Sequence, residues 1–156
     1  MLRQLRKSPG PKKRIKMESP QHQRATVLII ESSIDTRLLV SLSLQGTGYY
    51  TMTAASGEEA MQIAKHAIPD VILMDLDMPQ RDGFGATRRL RQMPELRHVP
   101  VVAVTAYPAD GIKQAARDVG CSGYLKKPLD FERLGWLLDK VMSGTGNEEF
   151  IDGETK

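Results

Sequence analysis

The sequence predicts a doubly wound α/β fold: a five-stranded parallel sheet with helices on both faces. Three observations carry that expectation. Apolar runs at 27–30, 71–74, 101–104 and 124–125 punctuate the chain. The first three are apolar at consecutive positions, which is how strands buried on both faces of a parallel sheet read. Helical stretches lie between them, and strand followed by helix, repeated along one chain, implies right-handed crossovers within one sheet.

Taken in order, 27–30 is the first strand. Leu38, Leu39 and Leu42 then mark a helical stripe that stops at Gly46 and Gly48. Residues 50–54 form a weaker strand, placed at an edge. Ser56 and Glu59 make a capping box for a helix over 58–67, which Pro69 ends. The strand 71–74 leads to a short helix over 85–92, closed by Pro94. After 101–104, Asp110 is placed to cap a helix running to Val119, with Gly120 at its C′ position. Asp130 is placed to cap the last helix, where Leu134, Leu137, Leu138 and Val141 share a face. Trp136 reads as a packing residue.

Length allows one domain with its own core but hardly two. Hydrophobic content of 40% and charged content of 26% are ordinary for a globular chain. No apolar run approaches the roughly 20 residues of a membrane span, and no apolar h-region follows the basic N-terminus. The single cysteine, Cys121, excludes an internal disulfide framework and fits a reducing, cytoplasmic setting.

The net charge of +3 is concentrated at one end. Residues 1–24 hold Arg3, Arg6, Lys7, Lys12, Lys13, Arg14, Lys16 and Arg24 against Glu18. Such a segment buries too little apolar surface to offset its ordering entropy, so 1–24 reads as a disordered basic arm. Met17 is an alternative start. Charge alone could take the arm to nucleic acid or an anionic membrane, but no helix-turn-helix or RNA-binding signature supports that partner. Residues 25–142 read as the folded domain and 143–156 as a flexible tail.

The ligand site of an open parallel sheet lies at the carboxyl ends of its strands. Glu31 and Ser32 stand after the first strand, Asp75 and Asp77 after the third, Thr105 after the fourth, and Lys126, Lys127 and Pro128 after the fifth. Clustered carboxylates attract Mg²⁺, which takes one or two of them together with phosphate oxygens and water. Beside such an ion a carboxylate can attack a phosphoryl group and form an aspartyl phosphate. Lys127 and Thr105 would then supply an ammonium and a hydroxyl to the phosphoryl oxygens. Other chemistries lack their motifs: there is no dinucleotide or P-loop glycine pattern, no G-x-S-x-G elbow, and His22, His66 and His98 are too scattered for zinc. His66 and His98 read as surface residues.

At this point the chain resembles the receiver domains of two-component response regulators, over about 25–142. VILMDLDMPQRDG at 71–83 is similar to the phosphoacceptor strand and loop, VVAVTA at 101–106 to the switch strand, and YLKKP at 124–128 to the terminal lysine–proline step. The resemblance implies a flavodoxin-like strand order 2-1-3-4-5 and a phosphoprotein of a phosphorelay. It implies Asp75 as phosphoacceptor, Thr105 and Lys127 as phosphoryl-binding residues, and Glu31, Asp75 and the backbone carbonyl of Asp77 as metal ligands. It further implies a cis Lys127–Pro128 bond, and a switch made by Thr105 and Tyr124 that reshapes a surface over 107–119, 121–126 and part of 130–142. One position departs from the family, which has two adjacent acids where this chain has Glu31-Ser32. Losses even outside the ligand shell typically cost roughly 10–100-fold in metal affinity or activity, so Mg²⁺ binding is expected to be weakened. Glu31 is longer than Asp and could reach the ion, and a serine hydroxyl can itself ligate Mg²⁺.

Two functions follow. In one, a stand-alone receiver takes a phosphoryl group from a histidine kinase or phosphotransfer protein and signals by docking a downstream protein. In the other, a pseudo-receiver serves as an adaptor without phosphate. In both the chain is a phosphoacceptor or a binding module, and not a turnover enzyme.

Overall fold

In the computed structural model, the described residues are 25–79, 82–108, 110–144 and 149–155. The basic arm lies outside them. The elements run β1 (Thr26–Ile30), α1 (Ile34–Gln45), β2 (Tyr50–Ala54), α2 (Gly57–Ala64), β3 (Val71–Asp75), α3 (Asp82–Arg91), a 3₁₀ turn (Pro94–Leu96), β4 (Val101–Thr105), α4 (Ile112–Asp118), β5 (Gly123–Lys126), α5 (Phe131–Ser143) and β6 (Ile151–Asp152), with a final 3₁₀ turn (Gly153–Thr155). The sheet order is β2-β1-β3-β4-β5-β6 and every pairing is parallel. The expected order of the first five strands holds, with β2 at one edge.

The continuous apolar runs have a direct cause: successive side chains point to opposite faces, and both faces are covered. Leu28, Ile30, Ile72, Met74 and Ala103 pack with α2, α3 and α4. Val27, Ile29, Leu73, Val102, Val104 and Leu125 pack with α1 and α5. Fully burying one such side chain is worth about 1.5–3 kcal/mol, so alternation of apolar residues would have left one face without cohesion.

The caps hold in part. Ser56 Oγ accepts from the Glu59 amide at 3.1 Å, while the Glu59 carboxylate reaches the Ala55 amide. Asp130 accepts from the amides of Glu132 and Arg133 at 3.0 and 3.1 Å. Asp110 does not cap α4; Gly111, with φ 81°, stands at its N-cap without a side-chain bond. Helix α3 begins earlier than expected, at Asp82.

Two larger differences concern α1 and the C-terminus. Leu38, Leu39 and Leu42 are 57%, 58% and 56% exposed; the core side of α1 is Val40, Ser41 and Leu44. The helical periodicity was legible, but apolar residues occupy both sides of the helix, so composition alone did not say which side faces in. Residues 149–155, expected within a flexible tail, carry the sixth strand beside β5. An unpaired sheet edge presents a row of free donors and acceptors, and this segment satisfies part of that row.

Candidate functional site

Sheet register brings the strand ends together. Asp75 pairs with Val104, and Thr105 pairs with Lys126, so β3, β4 and β5 end side by side. Lys127 Nζ lies 2.9 Å from Asp75 Oδ1 and 3.4 Å from Asp77 Oδ2. The Lys127–Pro128 peptide is cis, as the resemblance implied.

Asp75, Glu31 and Thr105 are buried, whereas Ser32 is exposed. Burial first, and then the adjacent Asp75 charge and hydrogen bond, push the Glu31 carboxyl up; the Ser33 amide and Lys127 oppose the rise. Burial works against the Lys127 charge, but the hydrogen bond and charge of Asp75, with the charges of Asp77 and Glu31, outweigh it and raise its pKa. The result is a set of acids drawn around one ammonium in a partly dry setting, where charge acts more strongly than in water.

Gly83 sets how closely α3 approaches this loop. A β-carbon there would stand 2.6 Å from the Asp75 carbonyl oxygen and 2.7 Å from Leu76 Cα. Only glycine allows that backbone approach.

The Asp77 side chain is the residue that sequence reasoning missed. It was expected to matter through its backbone carbonyl. Its carboxylate also accepts from the Thr105 hydroxyl at 2.6 Å and from the Ala106 amide at 2.8 Å. The Asp77 amide donates to Asp75 Oδ1 at 2.8 Å. The available signal was an acid two residues beyond the phosphoacceptor candidate, but a loop side chain has no period that fixes its direction.

A cleft of about 280 Å³ opens beside Asp75, Glu31 and Lys127, with Leu39 and Phe131 on its walls. A larger groove of about 670 Å³ between α3 and α4 holds none of these groups. Among the described residues no three His, Cys, Asp or Glu side chains gather closely enough to ligate a metal. Mg²⁺ needs only one or two carboxylates alongside water and phosphate oxygens. The donor set here fits that requirement, because the buried Glu31 and Asp75 carboxylates line one cleft, where Lys127 is the one cationic side chain among the described lining residues.

The response regulator receiver domain family matches residues 27–139. The chain belongs to the response regulator receiver family. The polar-differentiation response regulator DivK of Brucella ovis is 34% identical over 111 residues, covering 71% of this chain and 89% of that relative. Chemotaxis response regulator CheY4 of Vibrio cholerae is 36% identical with a TM-score of 0.70, covering 76% of this chain and 98% of that one. The receiver domain of sensor histidine kinase PA1611 from Pseudomonas aeruginosa, solved with magnesium coordinated in its active-site cleft, is 29% identical with a TM-score of 0.69 and covers 76% and 98%. The family match ends at residue 139, before β6. Among the described residues no helix is long and apolar enough to cross a membrane.

Proposed function

We propose that this receiver accepts a phosphoryl group on Asp75 from a histidine kinase or phosphotransfer protein and signals by docking a downstream protein. The observation that carries the reading is Lys127 Nζ at 2.9 Å from Asp75 Oδ1, on a buried carboxylate at a sheet switch point. In the transfer, an Asp75 oxygen forms a bond to phosphorus as the phosphorus–nitrogen bond of the donor's phosphohistidine breaks. The electron pair leaves with the imidazole nitrogen. Lys127, the Thr105 hydroxyl and the Ala106 amide then serve the phosphoryl oxygens. Mg²⁺, when bound, supplies positive charge against those oxygens; Glu31, Asp75, the Asp77 carbonyl and, less effectively, Ser32 would hold it.

Thr105 and Tyr124 form the proposed switch. Both are fully buried, and the Tyr124 hydroxyl has no hydrogen-bond partner among the described residues. An unsatisfied buried hydroxyl is costly, so this ring has a reason to move when Thr105 changes partner. The exposed Ile34, Leu38, Leu39 and Leu42 of α1 make an apolar face, with Leu39 on the cleft wall. Contiguous apolar surface of this kind suits a protein partner.

A phosphate-independent adaptor is the second reading. It is favoured by Ser32 in the metal-site pair and by the Asp77 carboxylate, which already holds the phosphoryl donors. Two-dimensional NMR with Mg²⁺, then beryllofluoride, separates the two. Saturable shifts at Asp75, Thr105 and Lys127 that reach Tyr124 and vanish in Asp75→Ala support phosphorylation. A folded chain indifferent to both additions leaves the adaptor.

A further inference from the structure

The sixth strand is held by charge as well as by backbone pairing. Gly123 pairs with Ile151 and Tyr124 with Asp152, and the Ile151 amide donates to the Ser122 carbonyl at 2.9 Å. Asp152 forms an ion pair with Lys113 of α4. Glu154 accepts from the Lys126 amide at 2.9 Å, and Arg133 of α5 donates to the Gly153 carbonyl at 2.8 Å. The Arg117 guanidinium sits 4.8 Å from the centroid of the Phe150 ring. Gly153 is pressed against the sheet, where a β-carbon would meet the Tyr124 carbonyl oxygen at 2.6 Å.

These contacts describe an acidic, extended segment lying on a basic rim made by α4, β5 and α5. The strand pairing spans only two residues. Elements with few buried contacts and short ladders open at low free energy. Addition of an extended peptide to an exposed sheet edge is a general mode of recognition, with backbone bonds for affinity and side chains for selection.

We propose that the β5 edge is a docking site for an extended acidic segment of a partner protein, and that residues 149–155 are its resident competitor. The partner segment presents an apolar residue, then two acids separated by one small residue, to meet Lys113 and the Lys126 amide as Asp152 and Glu154 do. Docking of the partner requires release of the chain's own segment. Because Lys113 also stands 5.6 Å from the centroid of the Tyr124 ring, release changes the cover over the proposed switch residue. The docking site lies on the surface that the Thr105–Tyr124 switch is proposed to reshape, and to that extent rests on that reading, but the contacts that hold residues 149–155 there involve none of Asp75, Thr105 and Lys127.

The test uses the full chain and its Gly153→Val variant, which places a branched side chain against the Tyr124 carbonyl and expels the segment. The probe is a fluorescein-labelled synthetic peptide of residues 149–155, read by anisotropy, with amide hydrogen exchange at Lys126 and Ile151 reporting release. The expected result is exchange faster by roughly tenfold or more in the variant, and peptide binding at least roughly tenfold tighter than to the wild-type chain. Lys113→Glu in the Gly153→Val background should abolish the gain. If Gly153→Val fails to fold, Asp152→Lys in the full chain replaces it as the releasing variant. Equal peptide binding to the wild-type and released chains overturns the proposal, as does no binding to a folded chain whose segment is demonstrably released. A wild-type dimer that becomes monomeric on Gly153→Val also overturns it, by assigning the edge to a second copy.

Discussion

The Thr105 hydroxyl donates to Asp77 Oδ1 at 2.6 Å. With the Ala106 amide at 2.8 Å and Lys127 Nζ at 3.4 Å from Oδ2, three donors converge on one carboxylate. They are the same three groups proposed to receive phosphoryl oxygens. In this state the Asp77 carboxylate stands as an internal anion among them.

Removing that charge is expected to favour an external anion. Two unit charges about 4 Å apart interact by about 1–4 kcal/mol between bulk water and an effective protein dielectric of 20. Asp77→Asn should therefore raise beryllofluoride affinity roughly tenfold, measured by amide shifts in the presence of Mg²⁺. Unchanged or weaker affinity would show that the Asp77 charge does not compete.

The metal site offers the opposite manipulation. Ser32 is exposed, so a longer acidic side chain has room there. Ser32→Asp restores the missing acid, and Mg²⁺ affinity should rise roughly 10–100-fold, the scale on which metal-site partners act. Magnesium titration followed at the Asp75 and Glu31 amides decides it, and a flat response would assign the ion entirely to other groups.

Gly83 couples the helix to the site. In Gly83→Ala the β-carbon meets backbone at 2.6 and 2.7 Å, which no side-chain rotation relieves. Overpacking of this kind typically costs about 1–3 kcal/mol. Urea denaturation should show that loss, together with shifted amides at Asp75 and Leu76. Wild-type stability would mean that α3 moves away at no cost.

Cys121 should be chemically silent in the folded chain. Burial pushes its thiol up to about 12, against the opposing effects of Arg91 and Thr87. The folded thiol thus keeps its proton where the unfolded one, ordinarily near 9.0, loses it. Stability from this group is complete below that ordinary value and declines as pH rises beyond it. A disulfide-exchange reagent at pH 8 should label Cys121 only on unfolding; rapid labelling of the native chain would contradict its enclosure.

Some of these relationships were readable in advance. Asp75, Thr105 and Lys127 could be placed together because each follows an apolar run, and parallel strands deliver their carboxyl ends to one edge. Ser56 and Asp130 could be read as caps because their bonds are to amides two or three residues away. Asp77 differs, since its partners lie 28 and 29 residues along the chain. The strand at Ile151–Asp152 had no local signal at all: its apolar content is one isoleucine, and what makes it a strand is the open edge of β5.

The sequence by itself determined the layered α/β class and the gathering of Asp75, Thr105 and Lys127 at one edge of a parallel sheet, because local periodicity and burial on both sheet faces are written in neighbouring residues; the order of the first five strands came from the family resemblance. Only the tertiary structure decided that the Leu38, Leu39 and Leu42 stripe faces outward, that the Asp77 carboxylate takes the Thr105 hydroxyl, and that the C-terminal segment lies on β5. Each of those depends on groups distant in the chain meeting in space, where a hydrogen bond or a covered edge is won by whichever partner the fold brings within reach.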